Sequence, residues 1–253
     1  LWKAGGSGVS NNVGSITSTV SASTESGFSI VSYTGDGSST GNGVVGHGLD
    51  SSPQMIMIKA RAGTNADNSW YAWHTGLSAN NNFNLNDTRA QFTTSSATSG
   101  IINTSPTSTT FGFDSGSTLL NINESGTTYI AYCFHSVDQY SSFGSYTGNG
   151  SADGPFVYTG FRVGWLMVKR TDDAFGWYIH DAVRDPFNHT DSELVANSSG
   201  AEYSREGAGG GEAFDFVANG FKVRTANTAL NASGGTYIYM AFAEQPFRFS
   251  NAR

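Results

Sequence analysis

The chain holds one cysteine and five prolines among 253 residues, and few charges. A single thiol, Cys133, excludes an internal disulfide framework, and no Cys/His spacing of the zinc type accompanies it. It lies in the apolar run Tyr129-Ile-Ala-Tyr-Cys-Phe134, which predicts a buried core thiol. Charged residues make up 13%, about half the usual share, and the net charge is −7. An acidic balance with no basic cluster argues against nucleic acid and anionic membranes as partners. No apolar run approaches the ~18 residues of a membrane span, so no membrane insertion is expected. The chain opens Leu1-Trp2-Lys3 without a secretory leader or initiator Met, which reads as a start in mid-protein.

What fills the chain instead is glycine (32 residues), serine, threonine and asparagine, together with 13% aromatics. That aromatic share separates it from disordered chains, which are aromatic-poor and charge-rich. Its surface must be covered by hydroxyls and amides rather than by ions.

The sequence repeats itself. Tyr33-Thr-Gly-Asp-Gly37 recurs as Tyr146-Thr-Gly-Asn-Gly150, and Met55-Ile-Met-Ile-Lys59 as Leu166-Met-Val-Lys169. Trp70-Tyr71 recurs as Trp177-Tyr178, Phe111-Gly-Phe113 as Phe221-Lys-Val223, and Thr128-Tyr-Ile130 as Thr236-Tyr-Ile238. Five ordered matches, at offsets between 107 and 113 residues, predict two diverged copies of one module with indels in the loops. Copy one is expected over 27–139 and copy two over 140–253. Residues 1–26 read as the end of a preceding repeat (Leu1-Trp2 aligning with Cys133-Phe134) followed by a linker rich in Gly, Ser and Thr. Ile16 to Val20 is a candidate short strand within that linker.

The repeated blocks are short, rich in aromatic and β-branched residues, and bounded by Asp-Gly and Asn-Gly turn signals. No segment shows helical periodicity beyond single turns at Ala182 to Arg184 and Ser192 to Asn197. The predicted fold is all-β, two tandem β-sandwich or jelly-roll-like modules.

Several strings resemble a family of repeat domains in structural, tail fibre-like proteins of tailed bacteriophages. They are Gly27-Phe-Ser-Ile-Val-Ser-Tyr-Thr-Gly35, Val45-Gly-His-Gly-Leu49 followed by Pro53, Phe143 through Phe161, Asn231 through Tyr239, and Ala243-Glu-Gln-Pro-Phe247. The opening Leu1-Trp-Lys-Ala-Gly-Gly6 is similar to the junction after an earlier copy in such proteins. The resemblance implies a virion surface component and brings no catalytic residues with it.

Motifs that suggest chemistry each have a plainer reading. Gly41-Asn-Gly-Val-Val-Gly46 matches a dinucleotide fingerprint, but His47-Gly-Leu-Asp-Ser-Ser-Pro53 cannot open the required helix. Gly37-Ser-Ser-Thr-Gly41 matches a nucleophile elbow, but the second copy has Ala152 in place of Ser39. Gly207-Ala-Gly-Gly-Gly211 reads as a loop rather than a phosphate cradle. His74 and His180 each close a Trp-Tyr strand. In copy two, Asp181, Arg184, Asp185, His189 and Asp191 follow as a polar cluster of types that hydrolytic or metal sites use. Copy one has Thr75-Gly-Leu there, so the cluster is not general to the module. Asp172-Asp173, Glu202, Glu206, Glu212 and Asp215 are carboxylates that could meet Ca²⁺ from loops, without any EF-hand ladder. Trp70, Tyr71, Trp73, Trp177 and Tyr178 are types that stack on sugars, though their repetition favours a core role.

The loop residues singled out for binding are therefore Asp172, Asp173, Asp181, Arg184 and Asp185, with no catalytic residue, metal or cofactor expected. The leading expectation is a non-enzymatic module of a phage tail fibre or adhesion device. It would self-associate as a homotrimer, join other virion proteins, and touch host glycan or protein through many weak contacts. A purely structural head decoration or spacer is the first alternative. A polysaccharide-degrading enzyme, which would need two carboxylates about 5–10 Å apart such as those of Asp181, Asp185 and Asp191, is the second.

Overall fold

The computed structural model describes residues 2–38, 43–63, 69–78, 81–93, 106–113, 122–205 and 212–245. The chain divides into two compact units. Unit 1 comprises Leu1–Leu85 and Gln91–His135, and unit 2 comprises Asn86–Ala90 and Ser136–Arg253.

Unit 1 contains β1 (Val9–Asn11), β2 (Ser18–Ser23), β3 (Phe28–Thr34), β4 (Val44–Gly46), β5 (Met55–Ala62), β6 (Trp70–His74), β7 (Asn81–Asn84), β8 (Phe92–Thr93), β9 (Thr110–Gly112) and β10 (Thr128–Phe134). The large sheet runs β1-β2-β3-β10-β5-β6-β7-β8, and β4-β9 form a small second sheet. Unit 2 contains β11 (Ser141–Thr147), β12 (Phe156–Tyr158), β13 (Val163–Arg170), β14 (Trp177–Asp181), β15 (Ser192–Val195), β16 (Tyr203–Ser204), β17 (Phe214–Val217), β18 (Gly220–Val223), the single-turn helix α1 (Thr228–Asn231) and β19 (Thr236–Ala243). Its large sheet runs β11-β19-β13-β14-β15-β16 and its small one β12-β18-β17. The order β3-β10-β5-β6-β7-β8 is thus reproduced strand for strand, so each unit is the same antiparallel, sandwich-like module.

The core of each unit lies between its two sheets. In unit 1, Val45 and Phe111 of the small sheet meet Val31, Ile56, Ile58 and Cys133 of the large one. In unit 2, Val157, Phe214 and Phe221 meet Leu166, Val168 and Ala241. The central strands β5 and β13 read as continuous apolar runs because burial claims residues on both their faces. Cys133 is fully buried, and burial pushes its thiol up to about 12, offset in part by a hydrogen bond with Ser29.

The repeated Tyr-Thr-Gly-Asx-Gly string is a buckle. In unit 1 the Tyr33 ring stacks on Tyr129 at 5.1 Å, and its hydroxyl donates to the Ile122 carbonyl at 2.7 Å. In unit 2 Tyr146 stacks on Tyr237 at 4.8 Å and donates to the Leu230 carbonyl at 2.8 Å. The next residue along in each case is a fully buried asparagine, Asn123 or Asn231. Its carbonyl accepts from Gly37 or Gly150 at 3.0 Å, and its Oδ1 accepts from the Asp36 or Asn149 amide. Its Nδ2 donates back to Oδ1 of Asp36 or Asn149. Both glycines of the string are required. A Cβ at Gly35 or Gly148 would sit 2.3 or 2.2 Å from a carbonyl oxygen, while Gly37 and Gly150 have φ of 72° and 71°.

Two readings differ from the structure. Residues 1–26, expected as a repeat end and linker, contribute β1 and β2 to unit 1: Val20 opposes Val31, Ile16 bridges to Val45, and Trp2 packs on Phe134 at 5.4 Å. The candidate strand Ile16 to Val20 overlaps β2, which runs on to Ser23; the rest of the segment looks like linker because small hydroxyl residues carry little apolar signal, yet strand pairing needs only backbone. Ser192 to Asn197, expected as a helical turn, instead supplies β15, in which Leu194 opposes Ile179. Ala182 to Arg184 forms the expected turn, closed by Asp185 N–H donating to the Asp181 carbonyl at 3.2 Å; the one described helix, α1, is capped by the Asn227 side chain accepting from Ala229 N–H.

Substituting Asn231→Ala leaves the Asn149 amide and the Ser151 and Thr225 carbonyls without their partner. The expected loss is roughly 2–4 kcal/mol in urea unfolding, with Asn123→Ala giving a like loss in unit 1. A loss below about 1 kcal/mol would contradict the buckle's role.

Candidate functional site

The loop residues picked from sequence all lie in unit 2, and each carboxylate among them already has partners. Asp181, at the end of β14, accepts from the Val183 and Arg184 amides at 3.0 and 2.9 Å and from Arg184 Nε at 2.5 Å. Burial would raise its pKa, but these donors outweigh it and hold the carboxyl below its usual range. Arg184 continues to Glu202 Oε2 at 2.6 Å and to the Ile179 carbonyl at 3.2 Å. Asp185 accepts from the Asp191 and Ser192 amides and from Ser192 Oγ, at 2.8–2.9 Å. Asp191 accepts from Ser204 Oγ. These contacts tie the loop that joins β14 to β15 onto itself and onto β16. A shallow cleft of about 220 Å³ remains, lined by Asp185, Pro186, Phe187, Asn188, His189 and Asp191.

Asp172 and Asp173 form a separate group. Arg170 grips Asp172 with Nε at 2.9 Å and Nη2 at 3.2 Å, and its Nη1 lies 3.4 Å from Asp173. The pair fixes the loop after β13; the Arg170 hydrogen bonds, opposed by burial, keep the Asp172 carboxyl low. Glu212 and Asp215 meet Arg224, and Glu212 also meets His189. No group of three His, Cys, Asp or Glu among the described residues is arranged to hold a metal ion. Glu206, the Gly207–Gly211 run and parts of both glycine motifs (Ser39 to Asn42) lie outside the described residues.

Sequence reading missed the charged group beneath this loop. Glu193 on β15 is fully buried, with His180 Nε2 at 3.2 Å, the Arg205 guanidinium on the same oxygen and the Tyr203 hydroxyl on the other. Arg205 also covers the Tyr178 ring at 5.1 Å, and His180 stands edge-on to Phe214 at 5.0 Å. Burial lowers the His180 pKa more than Glu193 raises it, so the ring is neutral at pH 7. For Glu193, burial acts upward, but His180, Arg205 and Tyr203 together bring its pKa below the usual value. Such carboxylates serve as hydrogen-bond acceptors; a general acid needs a raised pKa instead. The alternation Ser192-Glu-Leu-Val195 offered no sign that the glutamate, not the leucine, faces inward.

Lys169 on β13 is likewise fully buried, donating to the Phe175 carbonyl at 2.8 Å and the Thr88 carbonyl at 3.3 Å. Thr88 belongs to Asn86–Ala90, the segment expected in copy one that groups with unit 2. The aromatic pairs considered for sugar stacking are mostly committed: Tyr71 and Trp177 are buried, and Trp70 stacks on Tyr132 at 6.1 Å.

Unit 1 carries a larger groove than the unit 2 cleft. A groove of about 460 Å³ crosses β2, β3, β10 and β5 near one end of the sheet. Thr17, Thr19, Ser32, Thr34 and Thr128 line it with hydroxyls, and Arg61 stands beside them. Register explains the array: Thr19 faces Ser32, and Thr34 faces Thr128, across neighbouring strands.

Residues 1–246 match the family described as a domain of unknown function, DUF7483. The chain belongs to this family. The match spans both units, so the family includes the pair of modules. No curated protein and no solved structure matches the chain.

Lys169 gives the pH test. Burial brings its ammonium from 10.5 down to about 8, against the pull of Asp87 and Asp173. Between those values the unfolded chain holds more protons than the folded one, so stability rises with pH across the window. Urea midpoints of wild type and Lys169→Met are to be compared at about pH 7 and about pH 9.5. The wild type should gain on the order of 2 kcal/mol relative to the variant; parallel pH profiles would contradict the burial argument.

Proposed function

We propose that the chain is a non-enzymatic module of a tailed-bacteriophage virion surface, part of a tail fibre or related device that contacts the host. The observation that carries the contact role is the hydroxyl-lined groove of unit 1. A row of hydroxyls with one guanidinium suits the hydroxyls and occasional acids of a glycan, and each such contact is weak. Homotrimeric assembly, together with other virion proteins, would convert weak sites into firm attachment. The virion placement is supported by the resemblance of the repeated strings. The non-enzymatic reading is supported by Asp181, Asp185 and Asp191 being engaged with internal donors, and by the Asp181 carboxyl being held below its usual range where a general acid needs a raised one.

The test is a glycan array probed with the intact chain, followed by titration of retained glycans against Arg61→Ala and Thr34→Val. Both positions are exposed, so thermal stability should change by less than about 0.5 kcal/mol. Retention should fall at least about tenfold for Arg61→Ala, which is a loss of about 1.4 kcal/mol. A well-folded oligomer that retains no glycan would favour the structural head or spacer reading. Retention indifferent to the groove but lost in Asp185→Asn would move the site to the unit 2 loop.

A further inference from the structure

The two modules differ at one edge. In unit 1, β3 is covered by β2, and the preceding segment closes the side of the sandwich: Ile16 N–H donates to the Val44 carbonyl at 3.0 Å, and Val44 N–H to Ser15 Oγ at 3.0 Å. Among the described residues unit 2 has no counterpart: only six residues separate β10 from β11. β11 is therefore the outermost strand of its sheet. Its Ser141 and Phe143 amides turn away from β19, toward the Val137 carbonyl at 2.9 Å and Ser136 Oγ at 3.0 Å. By strand alternation the Ser145 and Thr147 amides turn the same way, and no strand of the described residues lies against them. Beside this edge, β12 exposes Phe156 (48%) and Tyr158 (67%) where unit 1 has the covered Val44 and Gly46.

β1 is another outermost strand, at the end of the large sheet of unit 1 opposite β8, where Val9 is 66% and the neighbouring Val13 63% exposed. Both edges are uncharged, Ser141 to Thr147 on one and Ser7 to Val13 on the other, and neither has the lysine or proline that commonly blunts a strand edge. Among the described residues, each chain thus offers both β11 and β1 as uncharged outermost strands.

We propose that β1 of one copy pairs with β11 of a second copy, head to tail. Unit 1 shows the chemistry of the occupant: the strand that covers the equivalent edge, Ser18-Thr-Val-Ser-Ala-Ser23, is also short, uncharged and hydroxyl-rich, and runs antiparallel. A heterologous contact of this kind closes into a ring or extends as a filament. The inference stands on the edges alone and does not depend on the adhesion reading.

The test uses the intact chain in sedimentation equilibrium. Val9→Asp with Val13→Asp charges one edge; Ser145→Pro removes an outward donor from the other, and Thr147→Lys serves if the proline variant loses its far-ultraviolet spectrum. Wild type should form a closed ring or a series growing with concentration, and each variant should be monomeric. An equal mixture of the two variants should give a dimer and nothing larger, because one competent edge of each type remains. A wild type that stays monomeric, variants that assemble like wild type, or a mixture without dimer would each overturn the proposal.

Discussion

Each module depends on one buried asparagine and the tyrosine pair beside it. Asn123 and Asn231 stand where the connection from the small sheet returns to the large one, and they hold the opposite end of the first repeated strand by both backbone and side chain. A buried amide is costly unless its donors and acceptors are met, and here they are met by one specific turn. That requirement fixes the two glycines, the stacked tyrosines and the register of β3 against β10, or β11 against β19. The most recognisable string in the sequence therefore records a structural constraint and is not a binding signature.

Around that shared frame the two copies have diverged. Unit 1 spends its N-terminal residues on closing one side of the sandwich and carries a hydroxyl-lined groove across four strands. Unit 2 has no such strand among its described residues and carries buried and half-buried charges in the β14–β15 loop and on β15. Asp36 in one buckle and Asn149 in the other is a smaller divergence with a consequence. Burial acts to raise the Asp36 pKa, but donors from Ser38 and Asn123 bring it below its usual value. Its share of stability is present above the ordinary carboxylate range and is lost as pH falls through the lowered one, so the unit 1 buckle is the acid-sensitive one.

The repeat, the all-β class and most strand positions were legible because apolar and aromatic residues recur at fixed offsets with glycine turns between them. Cys133 was legible as core for the same reason. Of the first 26 residues only the candidate strand Ile16 to Val20, which overlaps β2, was legible; the rest was not, since these strands owe their place to backbone pairing with one buried valine, Val20, and not to an apolar pattern. The polar cluster of copy two was found by residue type, but its chemistry was not. Asp181 and Asp185 spend their oxygens on local amides and hydroxyls, and proximity in sequence cannot distinguish a self-satisfied loop from a site awaiting a ligand. Glu193, Arg205 and Lys169 carried no signal in the sequence because burial of a charge is decided by partners distant in the chain. The groove was invisible for a related reason, being assembled from four strands whose register only tertiary structure sets.

Amide hydrogen exchange of the intact chain tests the central claim most directly. The Gly37 and Gly150 amides, which donate to the Asn123 and Asn231 carbonyls, should exchange as slowly as the central amides of β10 and β19. Exchange at these glycines as fast as in exposed turns, while the central strands remain protected, would show that the modules stand without the buckle.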